Sequence, residues 1–158
     1  MTASTAGSPP ASKVPKIVVV MPAYNAGRTL RLTYEELPKE TVSLVILVDD
    51  GSTDSTLDVA RELGLEIFVH DRNYGYGANQ KTCYTEALRA GVDIVVMVHP
   101  DYQYDPTLVP KIIEPITRGD ADLMLLSQAA NLERIHELHV VLAQSGLMHW
   151  CETPYSYL

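Results

Sequence analysis

Val42-Ser43-Leu44-Val45-Ile46-Leu47-Val48-Asp49-Asp50-Gly51-Ser52-Thr53-Asp54 decides the fold. Apart from Ser43 its first seven residues are apolar and rich in β-branched side chains, which reads as a strand buried on both faces, as strands of parallel sheets are. The run enters an Asp-Asp-Gly turn, after which Thr53 or Asp54 can cap a helix that continues to Leu63 and is ended by Gly64. Strand, polar turn and helix in direct succession are the opening of a β-α-β unit.

The same pattern extends in both directions. Upstream, Ile17-Val18-Val19-Val20-Met21 is a second continuous apolar run, closed by Pro22. Downstream, Leu65 to His70 reads as a strand, and a helix opening near Gly77 carries Cys83, Ala87 and Leu88 at helical spacing to Gly91. Asp93 to Val98 is a further strand. A helix then starts near Asp105-Pro106 and runs to about Arg118, with Pro110 and Pro115 expected to shorten or kink it. Ala121 to Leu126 is the last expected strand. The order β-α-β-α-β-α-β-α-β with short connections predicts a mostly parallel α/β sheet flanked by helices, with right-handed crossovers. Beyond it, Asn131 to Ser145 sets Leu132, Ile135, Leu138 or His139, and Leu142 on one side, which predicts an amphipathic helix ended by Gly146. Leu147 to Leu158 has no clear period. The expected organisation is a disordered leader over 1–15, a core over 16–128, and a helix with an irregular tail over 129–158.

Composition narrows the function. A chain of 158 residues is about one domain, long enough to bury roughly 70% of the surface its unfolded form exposes. With 20 acidic against 12 basic residues the net charge is -8, which argues against nucleic acid as a partner, because such binding relies on clustered Lys and Arg. Cys83 and Cys151 form no CxxC pair, so free thiols in a reducing, cytoplasmic compartment are expected. Cys83, on a helix face, reads as core rather than as a nucleophile. No run approaches the roughly 18 apolar residues that span a bilayer.

Three polar segments follow apolar runs or open helices, where open α/β sheets bind ligands. In the first, Asp49 or Asp50 can accept hydrogen bonds from a ribose hydroxyl or a base N–H; the competing reading is an acidic turn whose Ser52, Thr53 and Asp54 merely cap a helix. In the second, Asn73-Tyr74-Gly75-Tyr76-Gly77-Ala78-Asn79-Gln80-Lys81, backbone N–H groups near Gly77 and the Lys81 ammonium could face a phosphate or base, although a plain loop also explains the glycines. Neither a G-x-G-x-x-G fingerprint nor a P-loop occurs. In the third, His99-Pro100-Asp101-Tyr102-Gln103, alternate residues His99, Asp101 and Gln103 offer nitrogen and oxygen ligands suited to Mg²⁺ or Mn²⁺ with substrate phosphates. Tyr74, Tyr76, Tyr102 and Tyr104 could line a sugar pocket, though aromatic loop residues more often simply pack. His136, His139 and His149 lack zinc-like spacing. A phosphoacceptor domain of response-regulator type is a weaker reading, because the third strand ends at His70-Asp71 and no Lys follows Lys111.

Taken in order, Val19-Val20-Met21-Pro22-Ala23-Tyr24-Asn25, Val48 to Asp54, Asn73 to Lys81 and Asp101-Tyr102-Gln103 resemble family 2 glycosyltransferases, nearest to the polyprenyl-phosphate hexose transferases similar to dolichol-phosphate mannose synthase. The resemblance covers about residues 16 to 128. It implies a GT-A fold and an inverting transfer of a hexose from a nucleoside-diphosphate sugar to a polyprenyl phosphate or a saccharide, at the inner membrane face or in the cytoplasm. It also implies that Pro22, Ala23, Tyr24 and Asn25 border the nucleotide, that Asp49 or Asp50 contacts base or ribose, and that Gly77 and Lys81 lie near it. Asp101 matches the second acid of the family's Asp-x-Asp and would serve catalysis through the metal it holds with Gln103. His99 replaces the first acid, and Ala26 stands where many relatives have Glu. After Leu126 the family's Gly-Ser-Arg-like segment and acceptor part are not recognisable, so the alternative is a catalytically incomplete module that binds nucleotide or a partner.

Overall fold

The structure, a computed structural model, describes residues 14–127 and 137–142. In chain order the elements are β1 (Ile17–Ala23), α1 (Leu30–Glu35), β2 (Leu44–Asp49), α2 (Thr56–Glu62), β3 (Glu66–Val69), α3 (Tyr76–Arg89), β4 (Ile94–Met97), a 3-10 turn (Pro106–Leu108) leading into α4 (Val109–Thr117), β5 (Leu123–Ser127) and β6 (Glu137–Leu142). The sheet order is β3-β2-β1-β4-β6-β5. β1 to β4 are mutually parallel, and β6 runs antiparallel between β4 and β5.

Alternation along the strands explains the layers. Ile17, Val19, Met21, Val45, Leu47, Ile94 and Val96 join Leu30 of α1, Ala60 of α2 and Ile112, Ile113 and Ile116 of α4 in one core. Val18, Val20, Ile46, Val48, Val95 and Met97 join Cys83 and Ala87 of α3 in the other. The chain moves from β1 to β2 to β3 in one direction and returns to β4 on the far side of β1. Right-handed crossovers then require α1 and α2 on one face and α3 on the opposite one, which is where they lie. The return makes the C-terminal ends of β1 and β4 the topological switch point.

Pro22 does not close β1. The strand runs through Ala23, with Pro22 paired to Val48 and Ala23 to Asp49. Val20 accepts from Val98 on the β4 side, so by alternation the missing N–H of Pro22 also falls on that side; proline ends the ladder with β4 and leaves the one with β2 intact. The first helix has no capping side chain at its start. Burial of Leu30, worth about 1.5–3 kcal/mol for such a side chain, holds it instead.

The chain departs from expectation at residues 137–142. They were expected inside a helix over 131–145 and form β6, so β5 is not the last strand. Leu138-His139-Val140-Val141-Leu142 fits a strand as well as a helix stripe, and its two adjacent valines favour the strand. The edge of β4 decides between them, pairing Ile94 with Leu142, Val95 with Val141 and Val96 with Val140. Hydrogen bonding to that edge overrides local periodicity, which is blind to a partner some 45 residues away. The rest of the expected helix, the leader over 1–13, the tail after 142, and His136 and His149 lie outside the described residues.

Candidate functional site

Asp49 and Asp50 sit side by side at the end of β2 and do different work. Asp50 is almost completely buried. Its carboxylate accepts hydrogen bonds from the Tyr74 and Gly75 N–H groups, each at 2.9 Å, and from His70 Nδ1 at 2.7 Å. Burial alone would push this carboxyl up, but the donors outweigh it and hold Asp50 below the ordinary aspartate value. An ionised Asp50 puts the proton on His70 Nδ1, and His70 Nε2 meets Thr82 Oγ1 at 2.9 Å. Asp50 therefore anchors the loop that opens α3 and is spent on structure. Asp49 is 0% exposed. Its Oδ2 accepts from Ser52 N–H at 2.9 Å, while its Oδ1 is buried with no hydrogen-bond partner among the described residues. A carboxylate oxygen in that state is an acceptor awaiting a donor.

The loops after β1 and β2 are clamped together. Asn25 N–H donates to Ser52 Oγ at 2.8 Å, Thr53 N–H donates to Asn25 Oδ1 at 2.9 Å, Ala26 N–H donates to Thr56 Oγ1 at 2.8 Å, and Gly27 N–H donates to Asp54 Oδ2 at 3.0 Å. Asn25 adopts φ +52°, a left-handed conformation that asparagine tolerates better than most residues. Asp54 Oδ1 accepts from the N–H of Thr56, the first residue of α2, at 2.9 Å, and so caps the helix as expected, while the N-cap Ser55 makes no side-chain cap bond; Ser52 and Thr53 bond instead to Asn25. They fix the turn that carries Tyr24 and Asn25 at the end of β1, and the Tyr24 ring remains half exposed.

Asn79 was not singled out from the sequence, yet it joins the three central elements. It is 3% exposed on α3, and its Nδ2 donates to Val48 O at 3.0 Å and Ala23 O at 3.3 Å. Its signal was an amide in the buried stripe Asn79-Cys83-Ala87. Asn79→Ala is expected to lower the unfolding free energy by about 1–3 kcal/mol, the cost of losing two buried hydrogen bonds, read as a lower urea midpoint with unchanged slope.

At the far side of the switch point, His99 is buried beyond β4 and its Nε2 lies 2.9 Å from Tyr76 Oη. Asp101 and Gln103 follow in an exposed turn, where Gln103 N–H donates to Asp101 Oδ1 at 3.1 Å. Tyr102, between them, takes φ +59° and donates its hydroxyl to Glu36 Oε1 at 2.6 Å. Asp105 caps the following turn through Thr107. No group of three His, Cys, Asp or Glu residues suited to a metal occurs among the described residues. One exposed carboxylate beside an amide nevertheless fits a cation such as Mg²⁺, which commonly rests on one or two carboxylates and the substrate's phosphates.

Residues 18–146 match the family described as glycosyl transferase family 2. The chain belongs to that family. Among its relatives, a UDP-N-acetylglucosamine–dolichyl-phosphate N-acetylglucosaminyltransferase of Methanococcus voltae is 27% identical over 132 residues, covering 73% of this chain and 53% of that protein. A dodecaprenyl-phosphate galacturonate synthase of Rhizobium johnstonii is 30% identical over 126 residues, covering 70% of this chain and 35% of that one. The family 2 chain thus spans from about a third to about half of these relatives' length. In structure it resembles the glucosyl-3-phosphoglycerate synthase of Mycobacterium tuberculosis crystallised with Mg²⁺ and UDP, with TM-score 0.65 and 20% identity over 81% of this chain and 56% of that one. The same synthase with Mn²⁺, UDP and phosphoglyceric acid gives TM-score 0.59 and 25% identity, covering 69% and 42%. The fold is GT-A.

Within this family 2 domain the expected site residues fall into three groups. Pro22, Ala23, Tyr24, Asn25, Asp49 and Asp50 gather where β1 and β2 end. Ala23 O receives Asp50 N–H at 2.9 Å. His99, Asp101 and Gln103 follow β4. Gly77 and Lys81 lie exposed on the first turns of α3, Gly77 with no atom near the position of a Cβ. Among the described residues no helix is long and apolar enough to cross a membrane.

Proposed function

We propose that this domain binds a nucleoside-diphosphate hexose and transfers the hexose, with inversion, to a phosphate acceptor of the polyprenyl type. The observation that carries the reading is Asp49, a buried carboxylate at the end of β2 next to the switch point, with Oδ2 fixed by Ser52 and Oδ1 lacking a donor among the described residues. A base N–H or ribose hydroxyl supplies that donor, and the clamped Pro22-Ala23-Tyr24-Asn25 turn borders the same nucleoside. Gly77 and Lys81, at the positive end of α3, face its anionic portion.

At the other side of the crevice, Asp101 and Gln103 are the residues that would hold Mg²⁺ or Mn²⁺, whose Lewis acidity lowers the cost of charge developing on the departing diphosphate. Asp50 is committed to the loop that opens α3, Asp49 to the nucleoside and Asp101 to the cation. None of these acids is left as a general base. A saccharide hydroxyl would need one, whereas a polyprenyl phosphate arrives ionised and attacks the anomeric carbon without proton removal. The chemistry of the site therefore favours the phosphate acceptor, and a cytoplasmic location where nucleotide sugars are supplied.

Calorimetric titration with UDP, with and without Mn²⁺, tests the reading. Wild-type protein is expected to bind UDP more tightly with Mn²⁺, and Asp101→Ala to lose at least about tenfold of that gain, or 1.4 kcal/mol. Absence of UDP binding under both conditions overturns the proposal. A nucleotide-binding module without turnover is distinguished by incubating UDP-glucose with a polyprenyl phosphate: neither transfer nor sugar release leaves binding as the whole function.

A further inference from the structure

The short helix α1 is tied at both ends to the turn that carries Asp101. Its N-cap, Thr29, belongs to a residue type that ordinarily accepts from the helix's own first N–H groups, yet it makes no such bond. Its hydroxyl donates instead to the carbonyl of Pro100, at 2.5 Å. At the other end the C-cap, Glu36, accepts from the Tyr102 hydroxyl at 2.6 Å. The two residues that flank Asp101 are thus each held from one end of the same helix. Tyr102 takes φ +59°, a conformation that residues other than Gly, Asn and Asp seldom adopt. Such a backbone persists where its surroundings over-determine it. The helix is well placed to do so. Leu30 and Thr33 fix it in the core at 0% exposure, and Ala26 O accepts from the Thr29 and Leu30 N–H groups at 3.1 and 2.9 Å. Ala26 directly follows the Tyr24-Asn25 turn and is itself held by Thr56.

We propose that Thr29 and Glu36 are positioning residues: through them α1 acts as a strut that sets the Asp101 turn at a fixed distance from the Tyr24-Asn25 turn, so that one nucleoside diphosphate meets both. This rests on the glycosyltransferase reading. Both residues act through Pro100 and Tyr102 and not by contact with the ligand. A nucleoside alone engages only the turns after β1 and β2, whereas a diphosphate must also find the Asp101 turn in register. Loosening the strut therefore penalises the diphosphate selectively, because the turn must then be ordered at the expense of binding.

The test compares a nucleoside with its diphosphate. UDP is titrated at saturating Mn²⁺, and uridine is measured by competition against it. Glu36→Ala and Tyr102→Phe each break the outer bond, and each is expected to weaken UDP by the same factor of about three to ten, as the loss of one hydrogen bond implies. The double variant is expected to be no worse than either, as coupled residues require. Glu36→Gln keeps an acceptor for the Tyr102 hydroxyl and is expected to restore UDP affinity to within about twofold of wild type. At the inner bond, Thr29→Val is expected to weaken UDP to a similar extent, and Thr29→Ser to restore it. Uridine affinity is expected to stay within about twofold throughout, and the urea midpoint of Glu36→Ala close to wild type, since that bond lies at the surface. Equal losses for uridine and UDP overturn the inference, because they mark a general structural role. Unchanged UDP affinity in Glu36→Ala also overturns it, as do additive losses in the Glu36→Ala, Tyr102→Phe double variant. If Thr29→Val does not fold, the Glu36 and Tyr102 variants still decide. A wild type that binds no UDP overturns the proposed function and this inference together, an outcome distinct from those that overturn the inference alone.

Discussion

Asp50→Ala is expected to remove about 3–5 kcal/mol of folding stability, the range for breaking a buried charged network by deleting one partner. Two backbone N–H groups, at Tyr74 and Gly75, and the His70 ring lose their acceptor together. Since whole domains are stable by only about 5–15 kcal/mol, urea denaturation followed by far-ultraviolet circular dichroism should show the variant partly unfolded without denaturant or with a midpoint well below wild type. Asp50→Asn retains the shape and one acceptor oxygen, so a smaller loss is expected. A loss below about 1 kcal/mol for Asp50→Ala would show that the loop opening α3 is held by other contacts.

The same network predicts acid sensitivity. The hydrogen bonds hold the Asp50 carboxyl below its ordinary value of 3.8 despite burial. A depressed folded-state value means that the folded chain binds the proton less well than the unfolded chain. The stabilisation is therefore complete above about 3.8 and is lost as pH falls through the lower folded value. Asp54, held below its ordinary value against burial by bonds from Thr56 and Gly27 N–H, acts in the same sense. Urea midpoints measured downward from about pH 5 should fall steeply for wild type and less steeply for Asp50→Asn.

Gly51→Ala is the second large effect. Gly51 adopts φ +76°, and a Cβ there would stand 2.8 Å from Arg72 C and 2.9 Å from Asn73 N. The left-handed conformation costs an alanine about 1–2 kcal/mol. The obstructing atoms are backbone, so the 72–73 segment must move away from the end of β2, straining the bonds that Asp50 makes just beyond it. A total loss of about 2–4 kcal/mol is expected, which for a domain of this size is a melting temperature lower by about 5–15 °C. Gly77→Ala is the control: nothing lies near its Cβ position, and alanine favours a helix, so equal or slightly higher stability is expected.

What the sequence disclosed follows the range of the forces involved. The buried strands β1, β2 and β4 were legible as continuous apolar runs because burial on both faces admits few other patterns. Gly64 and Gly91 marked helix ends through local backbone geometry, and each takes a positive φ. The gathering of Asp49, Asp101 and the Tyr24 turn at one end of a parallel sheet followed from strand order in the chain. Illegible were features set by a distant partner. The Asn25–Ser52 clamp, the Asn79 bridge, the His70–Asp50 pair and the Tyr76–His99 pair join segments 20 or more residues apart. Local patterns therefore offered Ser52 and Thr53 as part of a helix cap, whereas both bond to Asn25 of the loop after β1. The strand at 137–142 failed for the same reason, its identity being fixed by an edge rather than by its own period.

The place of β6 has a consequence for handling the protein. Among the described residues β5 is joined to the sheet only through β6, which also covers the flank of β4. A shortened version ending at Ser127 would detach β5 and lay bare a row of backbone donors and acceptors along Ile94–Met97, four apolar residues with no charge to repel a second strand. Such an edge invites pairing between molecules. Expression of the domain in soluble form therefore depends on retaining a segment that contributes none of the site residues named here.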